Sequence, residues 1–399
     1  MPKVKSKIKL DNFNSKEVHP EIETFAKIKV IGVGGSGGAA INRMMADKIR
    51  GVDFMAINTD AQALHHNDAR RKLHIGKNIT RGLGAGMDPE IGLKSAEEAV
   101  DQIRDAIKDT DMVFITCGLG GGTGSGASPL IAEIAKNLGA LTVAVVTKPF
   151  SFEGAQRKTI ADQGLDKLAD NVDAIIVIPN DRILQTIDKK TSLLEAFGIV
   201  DQVLKSGVKG ISEMITVPGL INVDFADVRS IMYDAGSALM GIGEATGENR
   251  AIEAAKKSID SPLLELSIEG ARGILFTVSG GQDLGMAEVN EAAKVITNAA
   301  DPNAKIIFGA VIDEDLKDKV KVTVVATGFG NAPVRGKDQK MDFNPLGETE
   351  QPVSTLKKEP ITKRRITKDD KVIDRKKDIL EKTEEEELEI PAFIRKKMM

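Results

Sequence analysis

Five glycines fall within seven positions, Gly120, Gly121, Gly122, Thr123, Gly124, Ser125 and Gly126, between an apolar strand-like run at 111–116 and an apolar-periodic helix at 127–138. Glycine lacks a Cβ, tolerates positive φ and lets backbone N–H groups approach another molecule, at an entropic cost of roughly 0.5–1 kcal/mol per residue. A tight strand-to-helix turn needs only one or two. The excess points to a phosphate site at the helix N-terminus, where unpaired N–H donors carry about half a positive charge. Thr123 and Ser125 add hydroxyl donors.

A second loop of the same kind lies upstream. Ile28, Val30, Ile31 and Val33 read as a strand, and Gly34, Gly35, Ser36, Gly37, Gly38 and Ala39 lead into a helix with Ile41, Met44 and Met45 on one side. Further strand-like runs at 53–57, 112–116, 141–147 and 174–178 alternate with helical stretches. That alternation predicts a Rossmann-like α/β domain: a mainly parallel sheet, helices on both faces, and a ligand crevice at the carboxyl ends of the strands. A third glycine segment at 81–90, containing Ala85 and Gly86, is placed to close over a ligand.

Residues 192–212 form a long apolar-periodic stretch (Leu193, Leu194, Phe197, Val200, Val203, Leu204), the pattern of a central helix packed on both sides, with Gly207 and Gly210 weakening its end. Beyond it, runs at 264–268, 273–278, 305–312 and 319–327 with helices at 250–259 and 286–299 read as a second, α+β domain or mixed sheet, ending near Phe329. The expected organisation is an N-terminal extension without fixed structure (1–25), a nucleotide-binding domain (26–191), a central helix (192–213), the second domain (214–330), a charged disordered linker (331–387) and a terminal peptide (388–399). In that peptide apolar residues return beside a basic end, and composition leaves a partner-binding motif and an arbitrary terminus equally open.

Charge narrows the class little: net −4 with 29% charged residues suits a protein in water and names no partner. No apolar run reaches the roughly 20 residues needed to span a bilayer, and the lysine-rich start lacks a signal-peptide core, so the expected location is cytoplasmic. The single cysteine, Cys117, excludes an intramolecular disulfide and a cysteine-based zinc site. It reads as a small buried side chain, and His65 and His66 as surface residues.

Several chemistries compete. Gly32, Gly34 and Gly37 satisfy G-x-G-x-x-G, which admits a nicotinamide-dependent Rossmann oxidoreductase. Asp60 is only loosely placed for its ribose-binding acid, and the loop at Gly120 is left over. A Walker P-loop fails because G-x-x-x-x-G-K-[ST] is absent. Backbone donors from two loops, with a cation such as Mg²⁺, would have to hold the phosphates. Phe197 and Asp201, four apart on one helical face, and Asn180 after the 174–178 strand suit guanine: a carboxylate accepts from both N1–H and the 2-amino group, while a ring stacks on the base. By default Phe197 is core and Asp201 solvated. Glu153 and Arg157 have the spacing of a surface helical ion pair. Asp224 and Asp227, with Asn222, could orient a water and hold a cation, although aspartates three apart at a helix start more simply make a cap and a first-turn acid.

Taken together these residues resemble the tubulin/FtsZ family, the FtsZ proteins being its bacterial cell-division GTPases. Residues 120–126 are similar to the family's signature loop, 33–38 to its first phosphate loop and 222–227 to its synergy loop. The resemblance covers about 27–329 and returns at the end, where Glu389, Ile390, Pro391, Ala392, Phe393, Ile394, Arg395 and Lys396 resemble the tail that binds membrane-tethering and regulatory proteins. It implies GTP or GDP as ligand, with Mg²⁺ and a monovalent cation. Phosphates would be held by Gly34 to Ala39 and Gly121 to Gly124, with Ala85 and Gly86 near the γ-phosphate. Glu153 and Arg157 would contact the nucleotide, and Asn180, Phe197 and Asp201 the guanine.

The same resemblance makes Asn222, Asp224 and Asp227 catalytic toward the nucleotide of the next subunit, so that head-to-tail contacts generate a filament. Its expected place is the division site, with Ile390, Pro391, Phe393 and Arg395 contacting partners and no nucleic acid or direct membrane insertion involved. Two departures stand out: Ala39 replaces a common asparagine, and Met87-Asp88 replaces an Ala-Asn-like pair, bringing a carboxylate that would repel a triphosphate or help hold a cation. A nucleotide-gated scaffold without hydrolysis is the remaining alternative.

Overall fold

Alternate residues of the first strand are apolar on both sides. Ile28 and Val30 join one core cluster, Ile31 and Val33 the other. A strand buried on both faces belongs in the middle of a parallel sheet covered by helices. The computed structural model describes residues 26–47, 49, 51–184, 191–217, 219–261 and 268–329. The expectations for 1–25, the linker, the terminal peptide and most of the 264–268 run lie outside these residues.

The first part runs β1 (Ile28–Val33), α1 (Gly34–Ala46), β2 (Val52–Asn58), α2 (Ala61–His65), β3 (Arg71–His74), α3 (Pro89–Glu97), α4 (Val100–Ile107), β4 (Met112–Gly118), α5 (Gly122–Asn137), β5 (Leu141–Lys148), α6 (Ala155–Ala169), β6 (Ala174–Pro179) and α7 (Asn180–Leu184). It continues through α8 (Leu193–Thr216), α9 (Phe225–Met232), β7 (Gly236–Thr246), α10 (Arg250–Ile259), β8 (Gly273–Gly280), α11 (Met286–Ala299), β9 (Lys305–Ile312) and β10 (Lys319–Thr327). All ten strands join one sheet in the order β3-β2-β1-β4-β5-β6-β7-β10-β8-β9. The pairs from β3 to β6 are parallel, β10 is antiparallel to β7 and β8, and β8 is parallel to β9. Only three residue pairs, from Ala174↔Gly236 to Ile176↔Ala238, join β6 to β7.

Two local expectations are corrected. Helix α8 does not weaken at Gly207 and Gly210 but runs on to Thr216. Both glycines serve packing: a Cβ on Gly207 would lie 3.1 Å from Met240 Sδ, and one on Gly210 3.0 Å from Thr323 Cγ2. The helix can therefore lie close to β7 and β10, which outweighs the propensity cost of about 1 kcal/mol per glycine. The eleven-residue β7, rich in glycine, was not anticipated. Gly243 fits closely under α10, facing Ala254 O and Ser258 N, so its missing side chain reflects tertiary contact. Cys117 is buried, its thiol pushed up to about 11 by desolvation, and His65 and His66 are exposed. Among the described residues no helix is long and apolar enough to cross a membrane.

Candidate functional site

Strands β1 and β4 are neighbours, yet the chain leaves them toward opposite edges of the sheet, β1 to β2 and β4 to β5. Such a switch point opens a crevice at the carboxyl ends. Both glycine loops lie there, and between them is a cleft of about 440 Å³.

Helices α1 and α5 begin at this cleft, with no side-chain cap and no acid in the first turn. By contrast α2, α3, α8 and α9 are capped by Asp60, Asp88, Ser192 and Asp224. The first N–H groups of a helix have no intrahelical acceptor, so these two uncapped termini suit an anion.

The glycines divide by task. Gly34 (φ +73°) places its would-be Cβ 3.1 Å from Gly124 N, and Gly124 faces Gly118 O at 2.9 Å, so these residues bring the loops into backbone contact. Gly37 faces Thr116 O and seats α1 on the sheet, outside the cleft lining. Gly35 and Gly121 line the cleft with open space before them, and Ser36, Gly122 and Thr123 also stand in its wall, Gly122 packed against Ala85 and the backbone of Asp88. Gly38 and Ala39 face an adjoining side cavity of about 170 Å³. Ala85 lines the main cleft, whereas Gly86 does not.

The hydroxyls expected as phosphate donors also make hydrogen bonds within the protein. Ser125 Oγ accepts from Gly120 N (2.9 Å), and Thr123 Oγ1 shares a hydrogen bond with Thr59 Oγ1 (2.8 Å). Both hold the loop from within. Asp88 is likewise committed, since its carboxylate accepts from Glu90 N (2.8 Å) and caps α3. It is not among the residues lining the cleft, although its backbone packs against Gly122. Asp60, which does line the cleft, accepts from Ala63 N at 3.0 Å and caps α2.

At the other end of the cleft stand Asn180, Phe197 and Asp201. Phe197 is 38% exposed, not core, and packs edge-on to the buried Phe150 (centroids 5.4 Å, 79°). The Asp201 side chain is only 13% exposed, not solvated, and pairs with Arg43 of α1 at 3.1 Å. Burial pushes its carboxyl up and Arg43 draws it back. Asn180 is buried, and its Oδ1 has no hydrogen-bond partner. An orphaned acceptor in a cleft wall fits a ligand bearing N–H donors. Arg157 donates to Glu153 Oε2 (2.6 Å), and Glu153 Oε1 accepts from Phe150 N (2.9 Å). Both side chains line the cleft, so the pair is more than a surface decoration.

Asn222, Asp224 and Asp227 are not brought to this cleft. Helix α8 has 24 residues, about 36 Å at the standard rise. Phe197 and Asp201 near its start line the cleft, while Thr216 at its end abuts Gly51, just before β2. The far end of α8 thus lies at the amino ends of the parallel strands. The chain returns to that level at Gly236, whose N–H donates to Asp173 O before β6. Between these anchors Asn222 Oδ1 accepts from Gly219 N (2.6 Å), and Asp224, capping α9, accepts from Asp227 N (2.7 Å). The cap expected from spacing is present, and Asn222 and Asp224 are exposed on the face opposite the cleft. Among the described residues no cluster of three His, Cys, Asp or Glu could hold a metal.

Residues 27–188 match the model of the Tubulin/FtsZ family, GTPase domain, and 236–330 that of the FtsZ family, C-terminal domain. Among solved structures, an empty FtsZ dimer from M. jannaschii is 50% identical, with 76% of this chain and 89% of that chain covered and a TM-score of 0.74. The chain belongs to the tubulin/FtsZ family. It carries that family's GTPase domain. CetZ1 from Haloferax volcanii, a GDP-bound monomer, is 22% identical over 77% of this chain and 96% of that chain, with a TM-score of 0.67, a likeness of fold alone. Membership removes the nicotinamide-dependent reading, and the geometry of its ribose-binding candidate agrees, since Asp60 caps α2.

Two residues at this tubulin/FtsZ site escaped the reading of the sequence, Arg43 and Thr59. Each acts across a long separation, 43 to 201 and 59 to 123, and no local pattern marks either partner.

Proposed function

We propose that the chain binds GTP in the cleft and assembles head to tail, the far face of one copy closing the cleft of the next. One observation carries this reading: Asn222, Asp224 and Asp227 stand at the opposite end of the sheet from the uncapped termini of α1 and α5. A heterologous contact of this kind does not close on itself and so builds a filament.

The chain's own residues supply phosphate binding through backbone N–H groups at Gly34 to Ser36 and Gly121 to Gly124. Asn180 and Asp201 accept from the guanine edge, and Phe197 lies against the base. The incoming Asp224 and Asp227, with Asn222, orient a water toward the γ-phosphorus; its attack breaks the bond to the bridging oxygen and leaves GDP and phosphate. Mg²⁺ would enter with the nucleotide and would supply charge neutralisation, and a monovalent cation would add to it, no cluster of three His, Cys, Asp or Glu among the described residues being present to hold either alone. The match to the FtsZ carboxy-terminal model supports a division-ring role over that of a CetZ-like relative. Ile390, Pro391, Phe393 and Arg395 then bind membrane-tethering and regulatory partners.

The test is GTP hydrolysis per subunit against protein concentration, with sedimentation in parallel. Hydrolysis should be negligible below a threshold and rise above it. Asp224→Ala should bind GTP and sediment normally while hydrolysing at least 100-fold more slowly, the usual scale for losing a general acid–base group. Constant specific activity down to dilute protein would refute a shared site, and sedimenting polymer without phosphate release would favour the scaffold reading.

A further inference from the structure

Arg43 lies in the last turn of α1, and its guanidinium reaches α8 twice. Nη1 pairs with Asp201 Oδ2 at 3.1 Å and donates to Phe197 O at 3.4 Å. Gly198 leaves room for this, since a Cβ there would stand 3.3 Å from Nη1. Arg43 is absent from the lining of both the main cleft and the side cavity, whereas Asp201 and Phe197 face the main cleft. The arginine therefore stands behind the residues that would read a base.

We propose that Arg43 is a positioning residue for base selection. It fixes Asp201 in its ionised form with Oδ2 held from behind, so that the carboxylate presents acceptors to two adjacent N–H donors of a purine. This rests on the guanine-nucleotide reading of the cleft and adds to it the source of discrimination. The chemistry requires the charge. A carboxylate can accept from N1–H and the 2-amino group together, whereas a protonated acid turns an O–H toward one of those donors and keeps one good acceptor.

No other neighbouring charge takes Arg43's place. Asp47 of α1 is held by Lys205 of α8, and Asp181 of α7 accepts from Ser151. Arg182 of α7 is exposed, Lys148 of β5 pairs with Asp162, and Glu153 and Arg157 hold each other. Burial already pushes the Asp201 carboxyl up, and Arg43 opposes that. Without Arg43 the carboxyl takes up a proton at higher pH, and affinity for a ligand that needs the carboxylate falls as pH falls.

The experiment uses the full chain stripped of nucleotide, as wild type, Arg43→Met and Arg43→Lys. GDP, inosine diphosphate (which lacks the 2-amino group) and ADP are titrated calorimetrically from pH 5.5 to 8. Wild type should prefer GDP across the range. Arg43→Met should lose GDP affinity by about tenfold at pH 7, the scale of a hydrogen bond to a charged group, and by more at pH 5.5. Its loss for inosine diphosphate should be smaller, so the preference shrinks. Arg43→Lys, keeping a positive charge without the planar fork, should recover most of the pH-independence, and should show an intermediate loss in the same direction if the Met variant does not fold.

Equal losses for GDP and inosine diphosphate without a pH slope would mean a structural tie or a direct ligand contact, and would overturn the proposal while leaving guanine binding intact. Wild type binding ADP as well as GDP would overturn the guanine reading and the proposal together.

Discussion

Gly126 of α5 faces the backbone of α3. A Cβ built there would run into Pro89 O and lie 2.8 Å from Pro89 C and 2.9 Å from Leu93 N, and in the reciprocal contact Gly92 of α3 faces Gly122 O, with Gly122 C at 3.0 Å. Ordinary contact needs about 3.5–4.0 Å, and Pro89 O stands nearer still, so Gly126→Ala forces α3 back by more than about 1 Å. Overpacking costs about 1–3 kcal/mol, and alanine's better helix propensity returns about 1. A clash of this depth lies at the upper end of that range, so the net loss of stability is about 2 kcal/mol. Nucleotide binding should suffer more, because α3 grows out of the turn in which Asp88 N donates to Ala85 O (2.9 Å), and Ala85 lines the cleft.

Affinity for a non-hydrolysed GTP analogue should fall about tenfold or more, read by titration beside a urea denaturation series. Gly139→Ala, one residue beyond the C-cap Leu138 of the same helix, is the control. At φ +84° with nothing within 4 Å, it meets backbone strain and no neighbour. It should cost about 1–2 kcal/mol of stability and change affinity by less than about twofold. If Gly126→Ala lost no more affinity than Gly139→Ala, the claim that α3 positions the phosphate end would be wrong.

Arg250 at the start of α10 donates to Glu288 Oε1 (2.7 Å), Glu288 Oε2 (3.0 Å) and Asp283 Oδ2 (2.6 Å), and these hydrogen bonds hold both carboxyls below the usual carboxylate range. Carboxyls depressed in the folded state stabilise above their unfolded values and stop doing so as pH falls through the folded ones. Arg250→Met should therefore melt on the order of 5 °C lower at pH 7, with the gap to wild type closing below about pH 4; an equal gap at both would refute the assignment. Thr59→Val keeps the shape but leaves Thr123 Oγ1 without its 2.8 Å partner. A stability loss of about 1–2 kcal/mol with weaker nucleotide binding is expected by denaturation and titration, and an unchanged midpoint would show that the Thr59 bond does not hold the loop.

The strands were legible where side chains obey a local period. Residues 112–116 and 141–147 are apolar because both faces of β4 and β5 are covered, so the run itself marks the strand. β7 was not legible: Gly243 answers to α10, a partner that begins four residues after the strand ends but lies across a turn in space. At the candidate site, Phe197 and Asp201 could be paired by their four-residue spacing. Their surroundings could not, since a helix sequence does not say which of its faces meets another element.

The sequence by itself determined the two glycine loops after strands, the absence of a Walker lysine and the set of polar residues available to a guanine nucleotide, because these depend on residue type and short spacing. Only the tertiary structure decided how those residues are used. It tied Ser125 and Thr123 into the loop and set Asp88 and Asp60 to capping. It placed Arg43 behind Asp201, and put Asp224 and Asp227 at the far end of a helix about 36 Å long. Local pattern records what a residue can do, whereas hydrogen-bond partners and separation depend on how distant segments pack.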